Sequence, residues 1–134
     1  MLRTIGGPYT KNMLRVACRV QGTFQSTVEV GDIVQLSTSG NWTINSTTAG
    51  TAVLMLGVVE SLSDDSTRAT VIFPRANGVM RHRVGATVSL GQMVEASGAH
   101  SDGVKGSTNT GISGYYLVCA STGDPSGYCE VLYC

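Results

Sequence analysis

The chain has 134 residues, enough for one ordinary domain with a real core. Charged residues are sparse at 13 %, nine basic residues balance nine acidic ones, and the formal net charge is zero. A protein that grips nucleic acid through many phosphates needs a basic excess, so composition speaks against a dedicated nucleic-acid binder.

No apolar run is long enough to span a bilayer. The opening residues MLRTIGGPYTKNM lack the apolar core of a signal peptide, so the expectation is a protein made and used without secretion. Cys18, Cys119, Cys129 and Cys134 are then expected to be reduced, and their spacing matches no zinc pattern. The formal alternative is a Cys119–Cys129 bridge across a hairpin. The first 28 residues hold Arg3, Lys11, Arg15 and Arg19 and no acid. That segment reads either as a solvated terminus or as an arm lying on an acidic partner surface.

Apolar runs are short and rich in Val, Ile, Leu and Tyr, and no window sustains helical spacing, so the fold class is all-β. Strands are expected, in chain order, at 13–20, 32–37, 42–44, 52–61, 68–75, 79–84, 92–96, 114–121 and 127–133. In the first, Leu14, Val16, Cys18 and Val20 alternate with Arg15, Ala17 and Arg19. Residues 52–61 (AVLMLGVVES) read as a strand buried on both faces. Asn77-Gly78 is a strong hairpin signal because both residues accept positive φ. It predicts a hairpin opposing Val71 to Val84, Phe73 to His82 and Arg75 to Met80, at a sheet edge because of Pro74. Arg75, Arg81, His82 and Arg83 crowd into nine positions there.

An internal repeat underlies this order. VEVGDIVQLS at 28–37 matches VSLGQMVEAS at 88–97, with Val28/Val88, Gly31/Gly91, Val34/Val94 and Ser37/Ser97 identical at a shift of 91 − 31 = 60. The same shift sets Val58 on Val118, Ser61 on Ser121, Val71 on Val131 and Phe73 on Tyr133. The expected architecture is a compact β-barrel or sandwich built from two half-repeats, with an extended N-terminal arm. The arm and first strand occupy 1–27, and the β-domain occupies 28–134 in halves 28–87 and 88–134.

Catalytic patterns are missing: there is no nucleophile elbow, zinc-binding His pair, phosphate loop or dinucleotide fingerprint. Asp64-Asp65 reads as a hairpin loop, and His82 as a strand-face residue without an orienting carboxylate. Cys119 and Cys129 lie in apolar strands that disfavour the thiolate. The expectation is a protein that is not an enzyme and uses no cofactor or metal.

The pattern VEVGDIVQL, then LGVVES, VIFPRANGVMRHRV and VSLGQMVEASG with a closing hairpin resembles the small phage capsid cement, or head decoration, proteins over roughly 28–133. The Cys-rich end GYCEVLYC and residues 1–27 fall outside the pattern. The resemblance implies a structural protein of the virion, made in the host cytoplasm. It would bind the outer face of an icosahedral shell between capsomers and stabilise it. Its partners would be the major capsid protein and itself, as a homo-oligomer with a trimer favoured over a dimer, without nucleic acid or membrane. The expected capsid or subunit contacts are Arg3, Tyr9, Lys11, Arg15, Arg19, Arg75, Arg81 and Arg83. A tail or spike β-module is the alternative, and a small nucleic-acid-binding barrel a more distant one.

Overall fold

In the computed structural model, residues 13–48, 56–74, 78–99, 102–106, 117–119 and 127–133 are described. They form ten strands and one short 3-10 turn (Gly22–Phe24). The strands are β1 (Met13–Val20), β2 (Ile33–Leu36), β3 (Thr43–Ser46), β4 (Leu56–Leu62) and β5 (Arg68–Pro74), then β6 (Val79–Arg83), β7 (Met93–Ala96), β8 (Val104–Gly106), β9 (Leu117–Cys119) and β10 (Tyr128–Tyr133). The first five close into a barrel in the order β1-β3-β2-β4-β5. The others form a sheet in the order β6-β10-β9-β7-β8. The all-β reading therefore holds, as a barrel.

The second sheet repeats the first barrel's connections. Ile33 pairs with Val58 and Val34 with Gly57; sixty positions on (93 − 33 = 60), Met93 pairs with Val118 and Val94 with Leu117. Val59–Val71 recurs as Cys119–Val131, and Leu36–Ile44 as Ala96–Val104. The first strand of each unit is offset differently. Val16 pairs with Val71 and Met80 with Val131, so β6 stands 80 − 16 = 64 positions after β1. The four missing residues fall between Val84 and Val88, where the first unit has the turn that buries Phe24. Even the parallel closure is shared. Gln21 N–H donates to the Ile44 carbonyl (3.0 Å), and Gly85 N–H to that of Val104 (2.8 Å). In the second unit this closure is the single bridge Val84–Val104.

The barrel interior holds Cys18, Val20, Phe24, Val28, Val34, Ile44, Val59, Ala69, Val71 and Phe73. Strand residues alternate faces, so Ile33, Val58 and Ile72 point outward in one lateral row. They are buried all the same, in one cluster with Met80, Val84, Val88, Val94, Val104, Cys129, Val131 and Tyr133 of the second unit. That double burial accounts for the unbroken apolar run at Gly57–Val59, all three residues being buried. Each fully buried aliphatic contributes about 1.5–3 kcal/mol.

The hairpin expected at Asn77-Gly78 does not form. β5 already has a partner on each side, Val71 lying between Val16 and Val59, and β6 pairs with β10 instead. Met80 faces Val131 and His82 faces Cys129, so β5 and β6 belong to different sheets; residues 75–77 lie outside the described ones. The expected strand at 42–44 is present as β3, shifted to Thr43–Ser46; that at 114–121 is described over Leu117–Cys119 as β9, its other residues lying outside the described ones; β8 was not anticipated. Residues 52–55, and the N-terminal arm up to residue 12, lie outside the described residues.

The two units make a matched test. Ile72→Ala opens a cavity between them and should cost about 2–5 kcal/mol. Leu132→Ala, its half-buried counterpart sixty positions on, should cost only about 1 kcal/mol in dilute protein. Urea unfolding of both variants measures the difference.

Candidate functional site

The two described arginines of the basic stretch have different tasks. β6 buries Met80 and His82 and turns Arg81 and Arg83 to the other side. Arg83 reaches the first unit, where its Nη1 lies 3.5 Å from Oδ1 of the fully buried Asp32. Its guanidinium also covers Gly31, leaving only 3.1 Å to where a Cβ would stand. Arg83, expected at an external interface, thus ties the two units together within the chain. Arg81 is exposed, stacks 4.9 Å from the centre of the Tyr128 ring and faces Glu130 across the ladder. A cation–π contact at such an exposed site is worth about 0.5–1 kcal/mol.

On the first barrel, Arg15 donates through Nε to both oxygens of Glu60, at 3.1 and 3.0 Å. Glu60 occupies the irregularity between Val59 and Ser61 on β4. The pair is largely exposed, so it contributes about 1 kcal/mol at most. Arg19 and Arg68 are direct cross-strand neighbours, an arrangement that like charges make unfavourable. Both line a cleft of about 500 Å³ with Ala17, Ser39, Asn41 and Trp42, and none of the described residues lining it is a carboxylate. Trp42, 56 % exposed, is held at φ 48°, a conformation costly for a bulky side chain. Its carbonyl accepts the Arg19 N–H at 2.8 Å, which holds the Trp42 backbone against β1. A second groove of about 340 Å³, lined by Leu36, Ser37, Gly40 and Asn41, also borders Trp42. Exposed aromatic, paired cations and local strain converge on this rim, one candidate contact surface among the described residues.

The structure brings Arg19 to this rim, keeps Arg15 nearby on the same strand, and places Arg81 and Arg83 on the other unit. Arg3, Tyr9, Lys11 and Arg75 lie outside the described residues. Trp42 and Arg68 were not singled out from sequence. The available signal was a lone tryptophan in an Asn/Thr-rich loop and an arginine that ladder pairing sets opposite Arg19.

The two glycine corners are built alike. Glu29–Asp32 and Ser89–Gln92 are four-residue turns, closed by Asp32 N–H to the Glu29 carbonyl (3.1 Å) and Gln92 N–H to that of Ser89 (3.2 Å). Gly31 (φ 94°) and Gly91 (φ 74°) take the third position, where positive φ is required. The fourth side chain clasps the first residue. Asp32 Oδ2 accepts the Glu29 N–H at 2.7 Å, and Gln92 Oε1 the Ser89 N–H at 3.1 Å. The second residue of each turn is an exposed aliphatic: Val30 at 54 % and Leu90 at 66 %.

Neither a family of known proteins nor a characterised relative matches this chain.

The groups with potential chemistry sit apart from the rim. Asp65 belongs to the β4–β5 turn, as expected of a loop carboxylate. It accepts from the hydroxyls of Thr67 (2.7 Å) and Ser63 (2.8 Å) and from the Thr67 N–H (3.1 Å). Those bonds hold its carboxyl down at about 2. Cys18 and Cys129 are buried, and burial raises the Cys18 thiol. Cys119 stands opposite Val131 in the ladder, and the alternative Cys119–Cys129 bridge falls outside the described side chains. His82 is 2 % exposed, and its Nε2 shares a short hydrogen bond with the Tyr133 hydroxyl. Burial raises the Tyr133 phenol and pushes His82 down to about 4. Among the described residues, no three His, Cys, Asp or Glu side chains gather as a metal site.

The buried imidazole makes the fold acid-sensitive. Above its ordinary value of 6.5, His82 is neutral in folded and unfolded chains, and its neutral packing carries no proton cost. Between 6.5 and about 4 the unfolded chain binds a proton that the folded chain refuses, so stability falls as pH falls. At about 1.4 kcal/mol per unit, the loss by pH 4 is about 3 kcal/mol. Urea midpoints measured from pH 7 to pH 4 should show this slope, and His82→Gln should remove it. The Asp65 contribution would disappear only at still lower pH, as its carboxyl titrates from 3.8 toward about 2.

Proposed function

We propose that this chain is a structural virion protein that binds the outer surface of an icosahedral phage capsid between capsomers and stabilises it. The observation that carries the reading is the pair of clasped corners. They are the segments on which the resemblance to capsid cement proteins rests, VEVGDIV and VSLGQMV. Single exposed aliphatics are ordinary on any protein surface. Two of them on the same clasped turn, at equivalent positions of two units, form a repeated device.

The physics suits docking. Each tip stands on a turn fixed by backbone and side-chain hydrogen bonds, so little conformational freedom is lost on contact. Two tips on one body, repeated over many copies on a shell, convert modest contacts into firm attachment. The remaining cations fit the same task. Arg15, Arg19 and Arg81 are exposed, and the chain's zero net charge favours local complementarity with acidic loops over a broad field. The major capsid protein is the partner in this reading. Arg3, Tyr9 and Lys11 would act from the N-terminal segment and Arg75 from the link between the units.

Co-sedimentation with empty shells of the cognate major capsid protein tests the proposal. The full chain should bind expanded shells saturably. Val30→Asp combined with Leu90→Asp should weaken binding at least about tenfold, from losing about 1.5 kcal/mol or more of apolar burial. Both sites are exposed, so the melting temperature should stay within a few degrees. Removing residues 1–12 should weaken binding as well if the arm contributes. Absence of binding to both compact and expanded shells would abandon the capsid reading in favour of a tail or spike module.

A further inference from the structure

We infer that the Trp42 rim of the first barrel is a binding site for an acidic saccharide, a pyranose bearing a carboxylate. The inference stands apart from the capsid reading, which rests on the clasped corners.

The charge comes first. Ladder register puts Arg19 of β1 between Arg68 of β5 and Thr43 of β3. Cys18, Val20 and Ala69 take the barrel interior, so the two arginines share its outer face. Both are exposed. Neither has an ion-pair partner among the described residues, where the pairs are Arg15–Glu60 and Arg83–Asp32. The nearest acid to Arg68 along the chain, Asp65, is engaged instead by Ser63 and Thr67. Two like charges set side by side repel each other. A single carboxylate at the pair offsets that repulsion and accepts charge-assisted hydrogen bonds from guanidinium groups built to give them.

The aromatic is the second element. Trp42 lines the same cleft and is 56 % exposed. Packing gives no reason for a bulky residue here, and glycine would take φ 48° without strain. The backbone around it is pinned all the same. Besides the Trp42 carbonyl bond to Arg19, Ser37 N–H donates to the Thr43 carbonyl at 2.7 Å and Ser39 N–H to Ser37 Oγ at 3.0 Å. Gln21 Oε1 accepts the hydroxyls of Ser37 (2.6 Å) and Ser39 (3.2 Å), and Thr43 Oγ1 donates to the Asn41 carbonyl at 3.2 Å. A loop held in this way loses little freedom when a ligand arrives.

These groups select the class of ligand. The face of an indole is apolar and electron-rich, which suits the C–H face of a pyranose ring. The exposed Asn41 amide offers both a donor and an acceptor to sugar hydroxyls. Two cations suit one anionic group. A nucleic-acid strand needs a longer basic track, and the other described residues of the cleft, among them Ala17, Ser39, Gly40 and Thr43, add no charge.

Trp42 is the single tryptophan of the chain, so its fluorescence reports on the rim alone. The full chain, titrated with trigalacturonate and with sialyllactose, should show a saturable change in emission with at least one of them, half-complete at about 1 mM or below. Uncharged galactotriose should bind at least about tenfold more weakly. Arg19→Gln and Arg68→Gln should each weaken the acidic sugar at least about tenfold, as expected for losing a hydrogen bond to a charged group. Neither should lower the melting temperature, because each removes one of two repelling charges. Trp42→Gly removes the fluorophore, so its binding is read by calorimetry. It should bind at least about tenfold more weakly while its circular dichroism and melting temperature hold, since glycine accepts the local φ. No response to either acidic sugar up to about 10 mM would overturn the inference. So would equal affinity for galactotriose or for inorganic phosphate, tighter binding of oligothymidylate, or full binding by Trp42→Gly. Shell binding by a chain that ignores sugars would leave the capsid reading standing, so the two failures are separable.

Discussion

Three aliphatic side chains, Ile33, Val58 and Ile72, set the terms for the rest of the molecule. Their strands already spend one face on the barrel interior, through Val34, Val59 and Val71. With the second face apolar as well, the barrel cannot stand in water alone without exposing a hydrophobic row. The second unit is what removes it from solvent. The Arg83–Asp32 pair then fixes orientation at the margin of that contact. The division of labour follows from magnitude: the buried row supplies most of the attraction, and the partly exposed ion pair adds direction more than strength.

Much of this order was legible in the sequence because its rules are local or strictly periodic. Gly31 and Gly91 and the matched valines around them carried the shift of sixty that the ladders follow. Alternation in β1 separated Cys18 and Val20 from Arg15 and Arg19 correctly. The failures share a cause. Asn77-Gly78 is a turn signal read from neighbours in sequence, while the partner of β5 is decided by strands that have already occupied both its edges. β8 lies in a polar stretch, SDGVKGS, and exists because β7 offers a ladder to Val104–Gly106. The role of Arg83 depends on an aspartate 51 positions away. The Trp42 rim depends on a loop brought beside a cross-strand pair. No window of neighbouring residues contains either fact.

The candidate surfaces divide along the same lines. Arg81 and Arg83, grouped by sequence in one basic stretch, have separate places: Arg83 serves the internal joint and Arg81 lies against Tyr128. Arg19, grouped in sequence with the N-terminal cations, joins Arg68 and Trp42 on the other unit. His82, the residue in the stretch with the most obvious chemistry, is withdrawn into the core with Tyr133 and Cys129. What the described residues place on the outside is hydrogen-bonded corners and open clefts.

The unequal closure of the two units has a mechanical consequence. The first barrel is sewn shut along β1 by pairing with both β3 and β5, whereas β6 and β8 meet at one bridge, Val84–Val104. A closed ladder must break several hydrogen bonds at once before water enters, but a seam held at one stitch can part locally. By this pairing the first barrel is the more firmly closed of the two units, and local opening begins at the Val84–Val104 seam.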